Sequence, residues 1–293
     1  MSSVNTKPLK ERSPLGSLVS HLLRDRLAII GLVLVILITS SAILAPFIVP
    51  HNPNKLNVRY RLKGPSADHW LGTDQLGRDV LSRVIVGSRI ALQVALVSIS
   101  IAVFFGLILG MIAGYGSKKL DGILIILFDT VRSFPTIMFA LAVVTLVGPS
   151  LNTIILVVII TSIPVYGRIV RTQTQALRFN EFILAEKAMG ASKLRILGVH
   201  ILPNVIGPLL IIASMDIPVV VTIEAGLSFL GLGVRPPTAS WGSILNDGYA
   251  FIRNTPWLVI AGGIPLILTT LGFTFFGEAL RDVFDPKLRQ EIL

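Results

Sequence analysis

Residues 177–204 read LRFNEFILAEKAMGASKLRILGVHILPN and join two long apolar runs of the chain. The first half has helical periodicity, because Phe182, Ala185 and Met189 recur at spacings of three and four residues. The charged side chains of this stretch fall on other faces of the same helix. The pattern therefore predicts a short amphipathic helix between two apolar segments.

A turn and a second helix are expected to follow. Gly190 can end the first helix, because glycine adopts the left-handed C′ conformation at little cost. Ser192 can cap the second helix, in which Leu194, Leu197 and Ile201 share one face. Spacing alone leaves two interpretations open: an amphipathic linker in the lipid headgroups, or a docking site for a soluble partner.

The rest of the chain is strongly apolar. Of its 293 residues 53% are hydrophobic and only 14% are charged, whereas a soluble domain carries about 25% charged residues. A bilayer-spanning helix needs about 20 apolar residues. Six runs meet that length, at about 27–49, 90–113, 122–147, 151–170, 204–223 and 257–279. The sequence therefore predicts an all-α membrane protein with six transmembrane helices.

The runs suggest a simple organisation. Residues 1–83 would comprise an N-terminal tail, the first transmembrane helix and an extracytoplasmic segment, residues 84–280 the main transmembrane domain, and residues 281–293 a tail. The first run is longer than the apolar core of a signal peptide, so we interpret it as a retained anchor.

The basic residues favour one orientation. Placing the N-terminus inside puts most of the 26 Lys and Arg residues on inner segments, so both termini are expected in the cytoplasm. Segment 50–89 is the exception, because it is basic and would lie outside. The net charge of +10 then reflects membrane topology, and no nucleic-acid partner is expected.

Motifs for catalysis do not occur. The chain has no cysteine, no phosphate-binding loop and no G-x-S-x-G nucleophile elbow. His21, His51, His69 and His200 do not have the spacing of a metal motif. We therefore expect no enzyme, no bound cofactor and no metal site in this chain.

Three ionisable residues in the apolar runs are candidate pathway or gating residues. Asp129 and Arg132 lie three residues apart in the third run and are expected to neutralise each other near the inner interface. Glu224 ends the fifth run, where it would either line the exit of a pathway or lie in water.

Other conspicuous residues have structural explanations. Asp74, Arg78 and Asp79 are expected to stabilise the fold of the outer segment. Tryptophans near span ends commonly anchor a protein at the membrane interface, and the candidates for this role are Trp70, Trp241 and Trp257.

The motif Ala185-x-x-Ala188-x-Gly190-Ala191-Ser192, followed by Ile201-Leu202-Pro203-Asn204, resembles the EAA loop of ATP-binding-cassette importer permeases. Residues 71–83, the Asp129-x-x-x-x-Phe134-Pro135 motif, residues 224–242 and residues 280–286 are similar to the C-type subunit of the dipeptide/oligopeptide/nickel branch, in the same order. The resemblance covers roughly residues 13–289. Glu186 departs from it, because the general family has alanine there.

The resemblance implies a type I importer permease fold in the bacterial cytoplasmic membrane. It implies that the loop lies in a groove of a cytoplasmic ATPase, with a contact set of Glu181, Phe182, Ala185, Glu186, Lys187, Ala188, Gly190, Ala191 and Ser192. Its implied partners are a homologous B-type permease, two ATPase subunits that bind ATP and Mg, and an extracytoplasmic solute-binding protein. The implied cargo is a di- or oligopeptide, with a nickel chelate, glutathione or an oligosaccharide as alternatives.

Two other classes of function are less well supported. A secondary transporter or channel without an ATPase would leave the loop at residues 177–204 without a partner. An intramembrane enzyme needs a paired nucleophile and base, or metal ligands, within the spans, and the sequence shows none.

Overall fold

A computed structural model describes residues 25–284, and within them the regular elements are helices. They are α1 (Arg26–Ile48), α2 (Val80–Tyr115), α3 (Lys118–Arg132), α4 (Thr136–Val147), α5 (Leu151–Leu177), α6 (Glu181–Ala188), α7 (Leu202–Met215), α8 (Ile217–Phe229), α9 (Trp241–Ala250) and α10 (Pro256–Phe284), with a 3-10 turn at Val58–Tyr60. A helical turn, Lys193–Arg195, and a π-helical segment, Ile196–Ile201, lead into α7. The expected all-α class is confirmed. The start of the N-terminal tail and most of the C-terminal tail lie outside the described residues.

Five helical stretches are long and apolar enough to cross a membrane. They are α1, α2, α5, the continuous run Lys193–Phe229, and α10 as far as Asp282. A sixth span results if α3 and α4 together form one bent crossing. The count therefore agrees with the six expected spans, but one of them has an unexpected shape.

The third expected span, 122–147, is not one straight helix. Helices α3 and α4 meet at an angle of 82°, and the break falls at Ser133, Phe134 and Pro135. Pro135 has no N–H to donate and disfavours helical geometry at the residue before it. The apolar run is continuous across this point, so hydropathy alone predicted a single helix.

Two spans are longer than their apolar runs. Helix α2 begins at Val80 rather than near residue 90, because the Asp79 carboxylate caps it by accepting the Ser82 N–H at 2.8 Å. The extra turns contain Arg83 and Arg89, which excluded them from the apolar run. The fifth span extends in both directions, since the helical run continues from Lys193 to Phe229.

Close contact between α2 and α5 forms the centre of the bundle. Gly106, Gly110 and Gly114 lie one helical turn apart on α2 and face α5. A Cβ atom at Gly106 would lie 2.6 Å from the Tyr166 Cβ, and one at Gly110 would lie 2.6 Å from the Gly167 carbonyl oxygen. Small residues at this spacing let two membrane helices approach backbone to backbone.

The segment between α1 and α2 is organised by a buried cluster of charges. Asp74 accepts the Arg78 Nε–H at 2.6 Å and the N–H groups of Leu76 and Arg78 at 2.9 Å. The Arg83 Nε lies 3.4 Å from the same carboxylate, and the Arg78 Nη2 lies 3.5 Å from Asp247 on α9. The expected structural role of Asp74, Arg78 and Asp79 is confirmed.

Trp241 does not lie at an interface. It is 1% exposed, and its indole N–H donates to the Val84 carbonyl at 2.9 Å. This contact joins α9 to α2, so the interfacial interpretation was wrong for this residue. Trp70, by contrast, is 72% exposed, as an anchor would be.

Replacing Gly110 with alanine is expected to destabilise the protein by about 1–3 kcal/mol, because the added methyl group would overlap α5. The matched control is Gly207→Ala on α7, where an added Cβ meets no atom within 4 Å. Thermal unfolding of the purified protein in detergent gives the comparison. Equal unfolding midpoints for the two variants would contradict the proposed close contact.

Candidate functional site

The loop between α5 and the run Lys193–Phe229 has the local geometry that its sequence predicts. Gly190 has a φ of +84° and follows α6. The Ser192 hydroxyl accepts the Arg195 N–H at 3.3 Å and so caps the next helix. That helix is not a separate element, because it continues through Ile196–Ile201 into α7. The loop is therefore attached rigidly to a membrane span.

Buried apolar residues anchor the loop on both sides of its turn. Ile183 of α6 is fully buried and Ile196 is 1% exposed, and both belong to the main hydrophobic core. The expected helical face of Phe182, Ala185 and Met189 instead points outward. The apolar face that the sequence predicted for α6 is therefore its exposed face. Ile183, which the sequence analysis missed, fixes the helix to the bundle.

The exposed face of the loop within residues 185–194, which we call the loop surface, carries large apolar side chains and small residues. Met189 is 74% exposed and Leu194 is 82% exposed. The same loop has small exposed residues that leave the backbone accessible: Ala185, Ala188 and Gly190. Solvent-exposed apolar patches with small residues are typical of protein-binding surfaces.

Two of the three charged residues of α6 already have neighbours in the chain. The Glu186 Oε1 lies 3.4 Å from the His200 Nε2. The Lys187 ammonium lies 5.1 Å from the centre of the Tyr115 ring and 3.5 Å from the Arg178 carbonyl. Glu181 is exposed in the first turn of α6. Glu186 and Lys187 of the expected charged set therefore have contacts within the chain itself.

The expected pairing of Asp129 with Arg132 is wrong. Asp129 instead forms an ion pair with Arg168 of α5. Arg132 is the last residue of α3, where the chain bends toward α4, and its side chain lines a cavity at the bend. Both residues lie on α3 before the bend, so their helical spacing is kept. The pair is absent because Asp129 has a partner on α5 and the Arg132 side chain lines the cavity.

This cavity, which we call the bend cavity, has a volume of about 200 Å3. Residues of α3, α4, α5 and α8 line it together with Asp216, and the polar ones are Arg132, Thr136, Thr161, Ser162 and Asp216. Asp216 separates α7 from α8, and its Oδ2 accepts the phenol proton of Tyr166 at 2.8 Å. The sequence analysis missed Asp216, although an acidic residue followed by Pro218 inside an apolar run was an available signal.

Glu224 is completely buried, so the interpretation that it lies in water is wrong. The Ser228 hydroxyl donates to its Oε1 at 2.7 Å. Its Oε2 has no hydrogen-bond partner among the described residues. The neighbouring helix α9 covers it, and this long-range contact was not visible in the sequence.

Three potential metal ligands lie together although their spacing in the sequence is irregular. Ligand atoms of His51, His69 and Asp79 lie within 4.8 Å of one another. Each also has a structural contact: the His69 Nδ1 lies 2.8 Å from the Asp79 Oδ1, and the His51 Nε2 lies 2.8 Å from the Asp68 carbonyl. These contacts explain the cluster as part of the cap on α2.

Comparison with known proteins gives consistent matches over most of the chain. Residues 106–290 match the family described as binding-protein-dependent transport system inner membrane component. Residues 13–65 match the N-terminal TM domain of oligopeptide transport permease C.

Individual relatives agree with these families. The chain is 39% identical to the dipeptide transport system permease protein DppC of Alkalihalophilus pseudofirmus, over 94% of this chain and 91% of that protein. It is 35% identical to the probable D,D-dipeptide transport system permease protein DdpC of Escherichia coli, over 93% and 91%. An inward-facing structure of the MetNI methionine ABC transporter matches with a TM-score of 0.57 and 21% identity, over 70% of this chain and 98% of that chain, which shows a shared fold.

Gly190→Ala is expected to loosen the loop locally, because a positive φ costs a residue with a side chain about 1 kcal/mol. No atom lies within 4 Å of the added Cβ, so the cost is purely conformational. Amide hydrogen exchange in residues 181–192 should accelerate about fivefold, with a smaller effect for Gly190→Asn, since asparagine tolerates this conformation better. Unchanged exchange in the alanine variant would contradict the assigned geometry.

Proposed function

We infer the function from the premise that this chain belongs to the family of binding-protein-dependent transport system inner membrane components. It is a multi-pass protein of the bacterial inner membrane and a non-enzymatic permease subunit of an ABC importer. We propose that its transported cargo is a di- or oligopeptide. The names of relatives at 35–39% identity support this cargo.

The loop surface is the observation that carries the proposed mechanism. It is exposed and apolar, yet Ile183 and Ile196 anchor it in the core. A soluble ATPase subunit that covered Met189 and Leu194 would remove apolar area from water, which favours association. Glu181 would supply a peripheral charge contact.

The proposed assembly contains two permeases and two ATPases. The second permease would be a homologous B-type subunit, and an extracytoplasmic solute-binding protein would deliver the cargo. ATP and Mg would be bound by the ATPases, so hydrolysis takes place outside this chain. When the ATPases close, each loop moves as a rigid body with the helices to which it is attached.

The geometry of the loop explains how such a movement reaches the membrane. Helix α6 follows α5 after a short turn, and the run Lys193–Phe229 leaves the loop without a break before Asp216. A displacement of the loop is therefore transmitted to two spans at once. Both spans line the bend cavity, where access to the cargo pathway would change.

Ala188→Trp is expected to abolish stable association with the ATPase subunits, because a large ring on the loop surface would block close approach. Ala188 is exposed, so the chain itself should still fold. Co-purification of the ATPases in detergent measures the effect, and Ala67→Trp, exposed between α1 and α2, is the control on the opposite side of the membrane. Normal co-purification of the Ala188 variant would contradict ATPase docking at this surface.

ATP-dependent uptake tests the function itself. Proteoliposomes that contain both permeases, the ATPases and the binding protein should accumulate a labelled dipeptide when ATP is supplied inside. Collapsing the ion gradients should leave this uptake unchanged. Uptake that follows an ion gradient and ignores ATP would instead support a secondary transporter.

The proposed topology places both termini in the cytoplasm. Alkaline phosphatase needs disulfide bonds that form only after export. A fusion after Leu293 should therefore be inactive, whereas a fusion after Ala67 should be active. Phosphatase activity of the C-terminal fusion in intact cells would reverse the topology.

A further inference from the structure

An interrupted membrane helix lies at the bend cavity, because α3 and α4 meet there at an angle of 82°. Residues from both sides of this break, Arg132 and Thr136, line the cavity. Asp216, within the continuous run Lys193–Phe229, lines it as well. Discontinuous helices near the middle of a membrane protein often form substrate sites, because their interrupted backbones and polar side chains face a shared space.

The Asp216 carboxylate is held in a fixed position. The Tyr166 hydroxyl donates to its Oδ2 at 2.8 Å, and Tyr166 is fully buried on α5. The Gly106 position on α2 lies directly against the Tyr166 side chain, so the central helix contact fixes the ring. The carboxylate is therefore presented to the cavity by a rigid support, as a binding group requires.

The only side-chain hydrogen bond to the Asp216 carboxylate among the described residues comes from the uncharged Tyr166 phenol. A neutral phenol can orient a carboxylate, but it cannot neutralise it. Arg132 lines the same cavity and is exposed at the end of α3. The cavity thus displays one anionic and one cationic group on walls formed by different helices.

We propose that the bend cavity is a transit site for zwitterionic peptides, in which Asp216 binds the α-ammonium group and Arg132 binds the α-carboxylate. This inference rests on the proposed peptide cargo. A carboxylate and a guanidinium match the two charged ends of a peptide, and Arg recognises a carboxylate through two parallel hydrogen bonds. A neutral oligosaccharide would leave both charges of the cavity without a partner.

The site is expected to bind weakly. A group that holds cargo in a pathway must also release it, so multiple contacts of modest strength suit transport better than one tight contact. A dissociation constant on the order of 1 mM would be consistent with two charged contacts that are partly solvated. Tight selection would then belong to the solute-binding protein.

Binding to the assembled transporter without its solute-binding protein tests the inference. The complex of this chain with its partner permease and ATPases is placed in nanodiscs, without ATP, and titrated with dialanine, N-acetyl-dialanine and dialanine amide. Ligand-observed NMR gives the dissociation constants. We expect acetylation and amidation each to weaken binding to the wild-type complex by about tenfold.

The variants assign each loss to one side chain. With Asp216→Asn, dialanine should bind about as weakly as the acetylated peptide, and acetylation should have no further effect. With Arg132→Gln, the effect of amidation should disappear while that of acetylation remains. Thr222→Ala is the matched control, because its hydroxyl bonds to the Pro218 carbonyl of its own helix and does not line the cavity.

Several results would overturn the inference. These are equal binding of all three peptides, acetylation and amidation effects that persist in both variants, or no saturable binding of dialanine at tens of millimolar. If the Asp216 variant fails to assemble, the Arg132 variant decides alone, since its side chain is exposed at a helix end. ATP-driven uptake by the wild-type complex, without such binding, would reject only the transit site. Absence of that uptake would reject the proposed function.

Discussion

The close approach of α2 and α5 is the constraint on which the rest of this structure depends. Glycines on α2 bring the two backbones together, and the ring of Tyr166 is trapped at the point of contact. Tyr166 in turn orients Asp216 on a third helical stretch. In a membrane, where lipid is as apolar as leucine, such packing and interhelical hydrogen bonds replace the hydrophobic effect as the source of specificity. The orientation of Asp216 at the bend cavity thus depends on the close contact at Gly106.

The same helix connects the cavity to the loop surface. Helix α5 contributes Tyr166 near its middle and ends at Leu177, four residues before α6 begins at Glu181. Its other contacts reinforce this link, because Arg168 and Arg171 pair with Asp129 and Asp121 on α3. The first half of the bent span therefore moves with α5, and a force on the loop acts on the helix that carries Arg132.

The sequence was sufficient wherever a local rule decides the structure. Apolar length identified the spans, and the turn preferences of Gly190 and Ser192 located the loop correctly. The resemblance identified the family before any geometry was known. Local rules failed at Trp241 and Glu224, because both are buried by contacts with helices that lie far away in the sequence.

Asp129 shows the limit of helical spacing as a guide. A separation of three residues brings two side chains close on a helix, and Asp129 and Arg132 both lie within α3. Spacing along one helix does not reveal a competing partner on another helix. Arg168 of α5, which lies far away in the sequence, pairs with Asp129 instead.

The acidic residues of the spans differ in what surrounds them. Asp129 is neutralised by an arginine, and Glu224 is enclosed with one hydroxyl donor. Asp216 differs from both, because it has one fixed hydroxyl donor and also lines a cavity. A carboxylate within a membrane span is costly, so a protein that only needed to fold would gain by replacing Asp216 with an apolar residue. Its placement in a cavity that Arg132 also lines, beside the break between α3 and α4, is explained by what passes through the cavity rather than by the stability of the bundle.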